Sequence, residues 1–117
     1  MVIQDQMTWL KAGFELTEIG VKRLLTVATN QLSDDANGCI LEDSEVWIQI
    51  ARKGMTLAVH YSLDDAKYDM LRVCSLPLNE TVKVGLEAQC STGEGIYHTF
   101  KDVSLEKKTI TDIWSGK

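Results

Sequence analysis

Seven side chains that can do chemistry share one pattern: Trp9, Lys11, Glu15, Gln49, His60, Arg72 and Glu87 each sit in a run where apolar residues recur at every second position. In WLKAGFEL, Leu10, Ala12, Phe14 and Leu16 have one parity, and Trp9, Lys11, Gly13 and Glu15 the other. A period of two is that of a β-strand with one face in a core. The seven residues are therefore expected on faces turned away from it. An indole offers a flat apolar surface, while carboxylate, amide, ammonium, imidazole and guanidinium groups bond hydroxyls. That is equipment for holding a ligand. Solvated outer strands carrying ion pairs, such as Lys11 with Glu15, have the same parity, so both readings stand.

Other reaction chemistries find little support. There is no G-x-S-x-G, and His60 and His98 lie in ordinary alternating runs, so a serine nucleophile with its base is not indicated. Cys39, Cys74 and Cys90 are odd in number, widely spaced and without a C-x-x-C pair, which suggests neither a zinc site nor a disulfide framework. Cys74 and Cys90 are expected as small packed residues, and the cysteine usage fits a reducing, cytoplasmic setting. STGEG at 91–95 has two glycines but no strand-then-helix context, so it reads as a hairpin turn and not a phosphate loop. No metal or cofactor is expected. In YSLDDAKYDML at 61–71, Asp64 and Asp65 lie between two alternating runs and read as turn carboxylates that bond nearby backbone amides.

Twelve basic against 17 acidic residues, net charge −5, with no basic cluster, argue against a nucleic-acid surface. No run has the length of a membrane span, and MVIQDQMTW lacks the basic start and apolar stretch of a secretory signal, so no membrane partner is expected.

At 117 residues the chain makes one domain. Seven runs alternate: WLKAGFEL, VKRLLTVAT, VWIQIAR, LAVHYS, MLRVCSL, VKVGLEAQ and IYHTFKDVSLE. Val21, Leu25 and Val27 mark the core face of the second, Val46, Ile48 and Ile50 of the third, and Leu71 and Val73 of the fifth. Turn chemistry separates the runs at Glu18–Gly20, Ser33–Gly38, Lys53–Gly54, Leu63–Lys67, Asn79–Glu80 and Thr92–Gly95. In the last run Phe100 and Val103 differ in parity, which predicts a β-bulge near Lys101 and Asp102. The fold class is all-β, an antiparallel β-sandwich or barrel over residues 1–106. Residues 107–117, KKTITDIWSGK, form a tail with a short helical turn or an added strand, and Trp114 is expected to pack on something.

W-L-K-A-G-F-E, V-A-T-N-x-x-S-D, V-W-I-Q-I-A-R-K-G, H-Y-S-L-D-D-A-K-Y-D-M-L-R, V-G-L-E-A and G-E-G-I-Y-H-T-F-K-D-V occur in this order. In order and spacing they resemble the domain-of-unknown-function family that includes the yeast regulator-of-enolase protein. The resemblance implies a concanavalin A-like lectin/glucanase sandwich, in which the outer face of one sheet is concave and holds saccharide. It covers about residues 1–106 and only the C-terminal part of such a domain, so the sandwich is expected to be incomplete in this chain. Asp35 stands where the family usually carries tryptophan. Glucanases of this fold often carry E-x-D-x-x-E on one strand, a spacing absent here, which leaves a glycoside hydrolase as a remote alternative.

Two functions stay open at this point. One is a non-catalytic module that binds a carbohydrate or small metabolite around Trp9 and Glu15. The other is a protein-interaction module that regulates a metabolic enzyme. An incomplete sheet exposes unpaired edges, so self-association into a homo-oligomer is expected.

Overall fold

The alternation in WLKAGFEL becomes the central strand of a five-stranded sheet. The computed structural model describes residues 1–117 and has eight strands: β1 (Val2–Asp5), β2 (Thr8–Leu16), β3 (Lys22–Asn30), β4 (Leu32–Ile40), β5 (Trp47–Lys53), β6 (Thr56–Ser62), β7 (Asp69–Ser75) and β8 (Lys83–Val84). One antiparallel sheet has the order β4-β3-β2-β1-β8 and the other β5-β6-β7. The architecture is a β-sandwich with no helix.

The core lies where the two sheets face each other. Leu10 of β2 and Ala28 of β3 meet Leu57 and Val59 of β6, closed at one end by Leu76 and Leu78. Ala12, Ile50, Leu71, Cys74 and Val82 pack around this cluster. Gly38 of β4 allows Leu71 to come close, since a Cβ there would lie 2.4 Å from Leu71 Cδ1 and 3.2 Å from Leu24 Cβ. Tyr61 of β6 lies near Cys39 of β4 across the sandwich, and this neighbour together with burial pushes the phenol pKa up to about 12.

Several expectations fail for identifiable reasons. Ser33–Gly38 is not a turn: those residues form most of β4, and the reversal is a tight one at Gln31, whose φ is 65°. Asp34, Asp35 and Asn37 carry no apolar period, because an edge strand with charged positions resists pairing with another sheet. The parity of β3 is opposite to that expected. Leu24, Thr26 and Ala28 face the core, paired with Phe14, Ala12 and Leu10, while Leu25 and Val27 face outward. A stretch such as LLTVA, with aliphatic residues on both faces, Leu24 and Ala28 on one and Leu25 and Val27 on the other, does not declare its inner one.

In β7 a register shift between Val59 and His60 places Cys74 and Arg72 opposite Leu57 and Val59. The bulge leaves Leu71 packed on the core and Val73 44% exposed, so Val73 is not a core residue. β1, with the sequence VIQD, has no apolar alternation to announce it. VKVGLEAQ shrinks to the two residues of β8, and 96–106 forms no strand, so the bulge at Lys101–Asp102 is absent; Asp102 is instead a bend with φ 51°. Phe100, Val103 and Leu105 stay exposed. Cys90 is exposed, and Trp114, expected to pack, is 72% exposed.

A candidate binding face on the five-stranded sheet

The register of the five-stranded sheet sets its outer face in rows. Lys83, Ile3, Trp9, Thr29 and Ser33 form one row across β8, β1, β2, β3 and β4. Lys11, Val27 and Asp35 form the next, and Gly13, Leu25 and Asn37 the one after. Beyond these, Glu15 lies opposite Arg23. Successive rows are about 6.6 Å apart, two residues along a strand. Trp9, Lys11 and Glu15 therefore line the same outer face, as their parity predicts.

Between these rows is an open hollow of about 140 Å³, bordered by Lys11 and Glu15 from β2 and by Asp35 and Asn37 from β4, with Leu25 and Val27 of β3 between them. Gly13, between Lys11 and Glu15, adds no side chain, and a Cβ there would meet nothing within 4 Å. Trp9 is half-buried beside Thr29, whose hydroxyl shares a 2.9 Å hydrogen bond with Ser33. Lys11 Nζ donates to Gln89 Oε1 at 3.1 Å and borders the hollow on the β1 side. Near Glu15, the Arg23 Nε is buried without a partner. The arrangement combines an apolar floor, a rim of opposite charges and an adjacent indole, which suits a neutral polyhydroxylated ring better than a strongly charged ligand.

The other candidates do not join this group. Gln49 and His60 sit on the outer face of the three-stranded sheet, on the opposite side of the sandwich, where the C-terminal tail covers them. Gln49 Nε2 donates to Gly116 O at 2.8 Å, and His60 Nε2 to Ile113 O at 2.6 Å. Arg72 does not face away from the core. The β7 bulge turns it between the sheets, where Nη1 donates to Asp34 O at 3.1 Å and Thr26 Oγ1 at 3.4 Å, and Nη2 to Asp34 Oδ2 at 2.9 Å. Glu87 is exposed beyond β8, near the Met1 ammonium, whose pKa burial lowers and Glu87 partly restores. Of seven candidates, three share a surface. Asp35, Asn37, Leu25 and Val27 were missed because β4 lacks an apolar period and β3 has apolar residues on both faces.

The acidic pair in YSLDDAKYDML is a turn, as its sequence predicts. Asp64 Oδ1 accepts from Ala66 N at 2.9 Å, Lys67 N at 3.0 Å and Ser62 Oγ at 3.0 Å, and Asp65 takes a positive φ of 59°. The amide bonds to Lys67 and Ala66 hold the Asp64 carboxyl below the usual aspartate range. A carboxyl with a lowered folded pKa stabilises the fold above its unfolded pKa, and the contribution is lost as pH falls through the folded value. Accordingly, relative to its intrinsic rate at each pH, amide exchange at Ala66 and Lys67 is expected to accelerate over that acid range in the parent. In Asp64→Ala it should be fast at neutral pH already, with ligand affinity unchanged. A parent and variant with the same pH profile would remove Asp64 from this role.

The fold and the face define an antiparallel β-sandwich with a shallow polar hollow on its larger sheet. The chain belongs to the family described as protein of unknown function (DUF1349), whose model matches residues 1–108. Among solved structures it is similar to a functionally unknown protein from Saccharomyces cerevisiae, with 26% identity and a TM-score of 0.61 over 68% of this chain and 43% of that one. The chain thus spans less than half the length of that relative. No curated protein matches it.

Proposed function

We propose that the protein is a non-catalytic binding module that takes a saccharide or small polyhydroxylated metabolite on the outer face of the five-stranded sheet. The observation that carries this reading is that Lys11 and Glu15 of β2 converge with Asp35 and Asn37 of β4 around one open hollow, with Trp9 in the next row of the same face. At about 140 Å³ it is small beside the roughly 300–1,000 Å³ of pockets for drug-sized ligands. A single ring laid on the face, with its apolar side toward the indole and its hydroxyls toward the rim, matches that size and chemistry.

Calorimetric titration with a panel of neutral and acidic mono- and oligosaccharides tests this. Trp9→Ala is expected to abolish binding, and Glu15→Gln to weaken it by about 1.5–3 kcal/mol through a lost charged hydrogen bond. Gly13→Phe, which grows into open space, should block the hollow while the protein melts like the parent. A parent that binds no member of the panel, or a Gly13→Phe protein that binds as the parent does, overturns the reading.

A second reading, an interaction module that regulates another protein, is favoured by the exposed apolar residues between Leu86 and Leu105. Under it Trp9→Ala would weaken assembly by roughly 2 kcal/mol or more, with no saccharide binding to lose.

A further inference from the structure

The outer face of the three-stranded sheet is also ordered in rows by its register. Gln49 and His60 share one row with Met70, Ala51 and Ala58 the next with Val73, and Lys53 and Thr56 the last with Ser75. The tail crosses the first row, where Gly116 O and Ile113 O accept from Gln49 and His60. Beyond it, between the tail and the β5–β6 turn, lies a second hollow of about 250 Å³, with Ala51 and Ala58 as its floor and Ile110 and Ile113 as its wall. Two alanines paired across the strands give it depth, because a methyl group rises far less from the sheet than the Gln49 and His60 side chains beside it.

This hollow differs in charge from the one on the larger sheet. Although the chain has a net charge of −5, no carboxylate borders it, and its polar lining is Arg52, Lys53, Thr56 and Thr111. Two of these are committed elsewhere. The Arg52 guanidinium turns to carbonyls, with Nε donating to Gly54 O at 2.7 Å and the two Nη groups to Glu80 O and Asn79 O, while Thr111 Oγ1 donates to Lys117 O at 3.2 Å. Lys53 is exposed and belongs to none of the three ion pairs of the protein. It lies directly opposite Thr56, and facing side chains of a ladder have Cβ atoms about 5 Å apart, so one ammonium and one hydroxyl can reach the same small acceptor. The available donors stand together at one end of an apolar trough.

We propose that this trough is a second binding site, for a small monocarboxylate with an apolar body. The body lies over Ala51 and Ala58 against Ile110 and Ile113, and the carboxylate accepts from the Lys53 ammonium and the Thr56 hydroxyl. At about 30 Å³ for each water-sized group, the hollow holds roughly eight of them, the size of a medium alkyl chain. A polyhydroxylated ring does not suit it, because its hydroxyls would face four aliphatic side chains. A cation would meet Lys53 with no carboxylate to offset it, and a dianion would find one ammonium for two charges. This inference is independent of saccharide binding, which uses the opposite side of the sandwich.

The test is a titration of the full chain with sodium octanoate below its micelle concentration, followed by amide NMR shifts, with 1-octanol as the uncharged probe of the same body. Octanoate is expected to shift the amides of Ala51, Thr56, Ala58 and Thr111 together and to saturate, and octanol to bind at least tenfold more weakly. Lys53→Gln, an exposed change that leaves the fold intact, should weaken octanoate about tenfold and leave octanol unchanged. Ala51→Leu, which raises the floor, should block both probes, and Trp9→Ala should block neither. Three results would overturn the proposal. The first is the absence of saturable shifts at these four amides. The second is octanol binding as tightly as octanoate, which signals apolar adhesion alone. The third is a Lys53→Gln protein that binds octanoate as the parent does, which removes the ammonium from the site.

Discussion

Arg72→Ala is expected to lower stability by about 3 kcal/mol while leaving any affinity on the Trp9 face unchanged. The guanidinium lies between the sheets with its side chain only 13% exposed, tying β7 to β3 and β4 through Thr26 and both the carbonyl and carboxylate of Asp34. Removing it leaves the buried Thr26 hydroxyl without this donor and opens a gap where the alkyl stem packed. Asp34, 74% exposed, returns to water at little cost, which keeps the loss near the lower end for a broken buried pair. Arg72→Lys should lie between the two, because an ammonium keeps the charge but not the planar fork that serves three acceptors. Urea denaturation with an unchanged m-value is the measurement. A loss below about 0.5 kcal/mol would place Arg72 among ordinary surface pairs and sink the clamp reading.

His60→Ala is expected to cost a similar amount, about 3 kcal/mol, and to release the tail. The imidazole is fully buried beneath Ile113 and Gly116. Because a carbonyl can only accept, the 2.6 Å contact with Ile113 O places the ring proton on Nε2 and leaves Nδ1 a buried acceptor without a partner. Gly116 has φ 73°, and a Cβ there would lie 3.1 Å from both the His60 ring and Gln49 Nε2, so the tail seats on these two side chains closely. Within the tail, the amides of Thr111 and Asp112 bond Lys117 O, and Gly116 N bonds Asp112 O. All three should exchange rapidly in His60→Ala. His60→Leu, which keeps most of the volume and loses the bond, should retain more stability yet still loosen the tail. Tail amides that stay slow in both variants would show that Ile110 and Ile113 anchor the segment without His60.

The sequence by itself determined the all-β class, the hairpin that joins β6 and β7 and the outward parity of Trp9, Lys11 and Glu15. Each rests on local physics. A strand with one apolar face announces its period, and Asp64 can bond Ala66 and Lys67 whatever lies around it. Tertiary structure decided what local pattern leaves undetermined. The inner face of LLTVA depended on which side the other sheet covered, so Leu24 is fully buried while Leu25 borders the hollow. One extra residue in β7 moved Arg72 from an expected outer face to the space between the sheets, because a bulge inverts every side chain on one side of it. Asp35 and Asn37 reached the hollow only through their pairing with Val27 and Leu25, a long-range register with no signature in a polar edge strand. Residues 96–106 show the converse: they have a strand's alternation but form none, since a strand also needs a neighbour for its backbone hydrogen bonds.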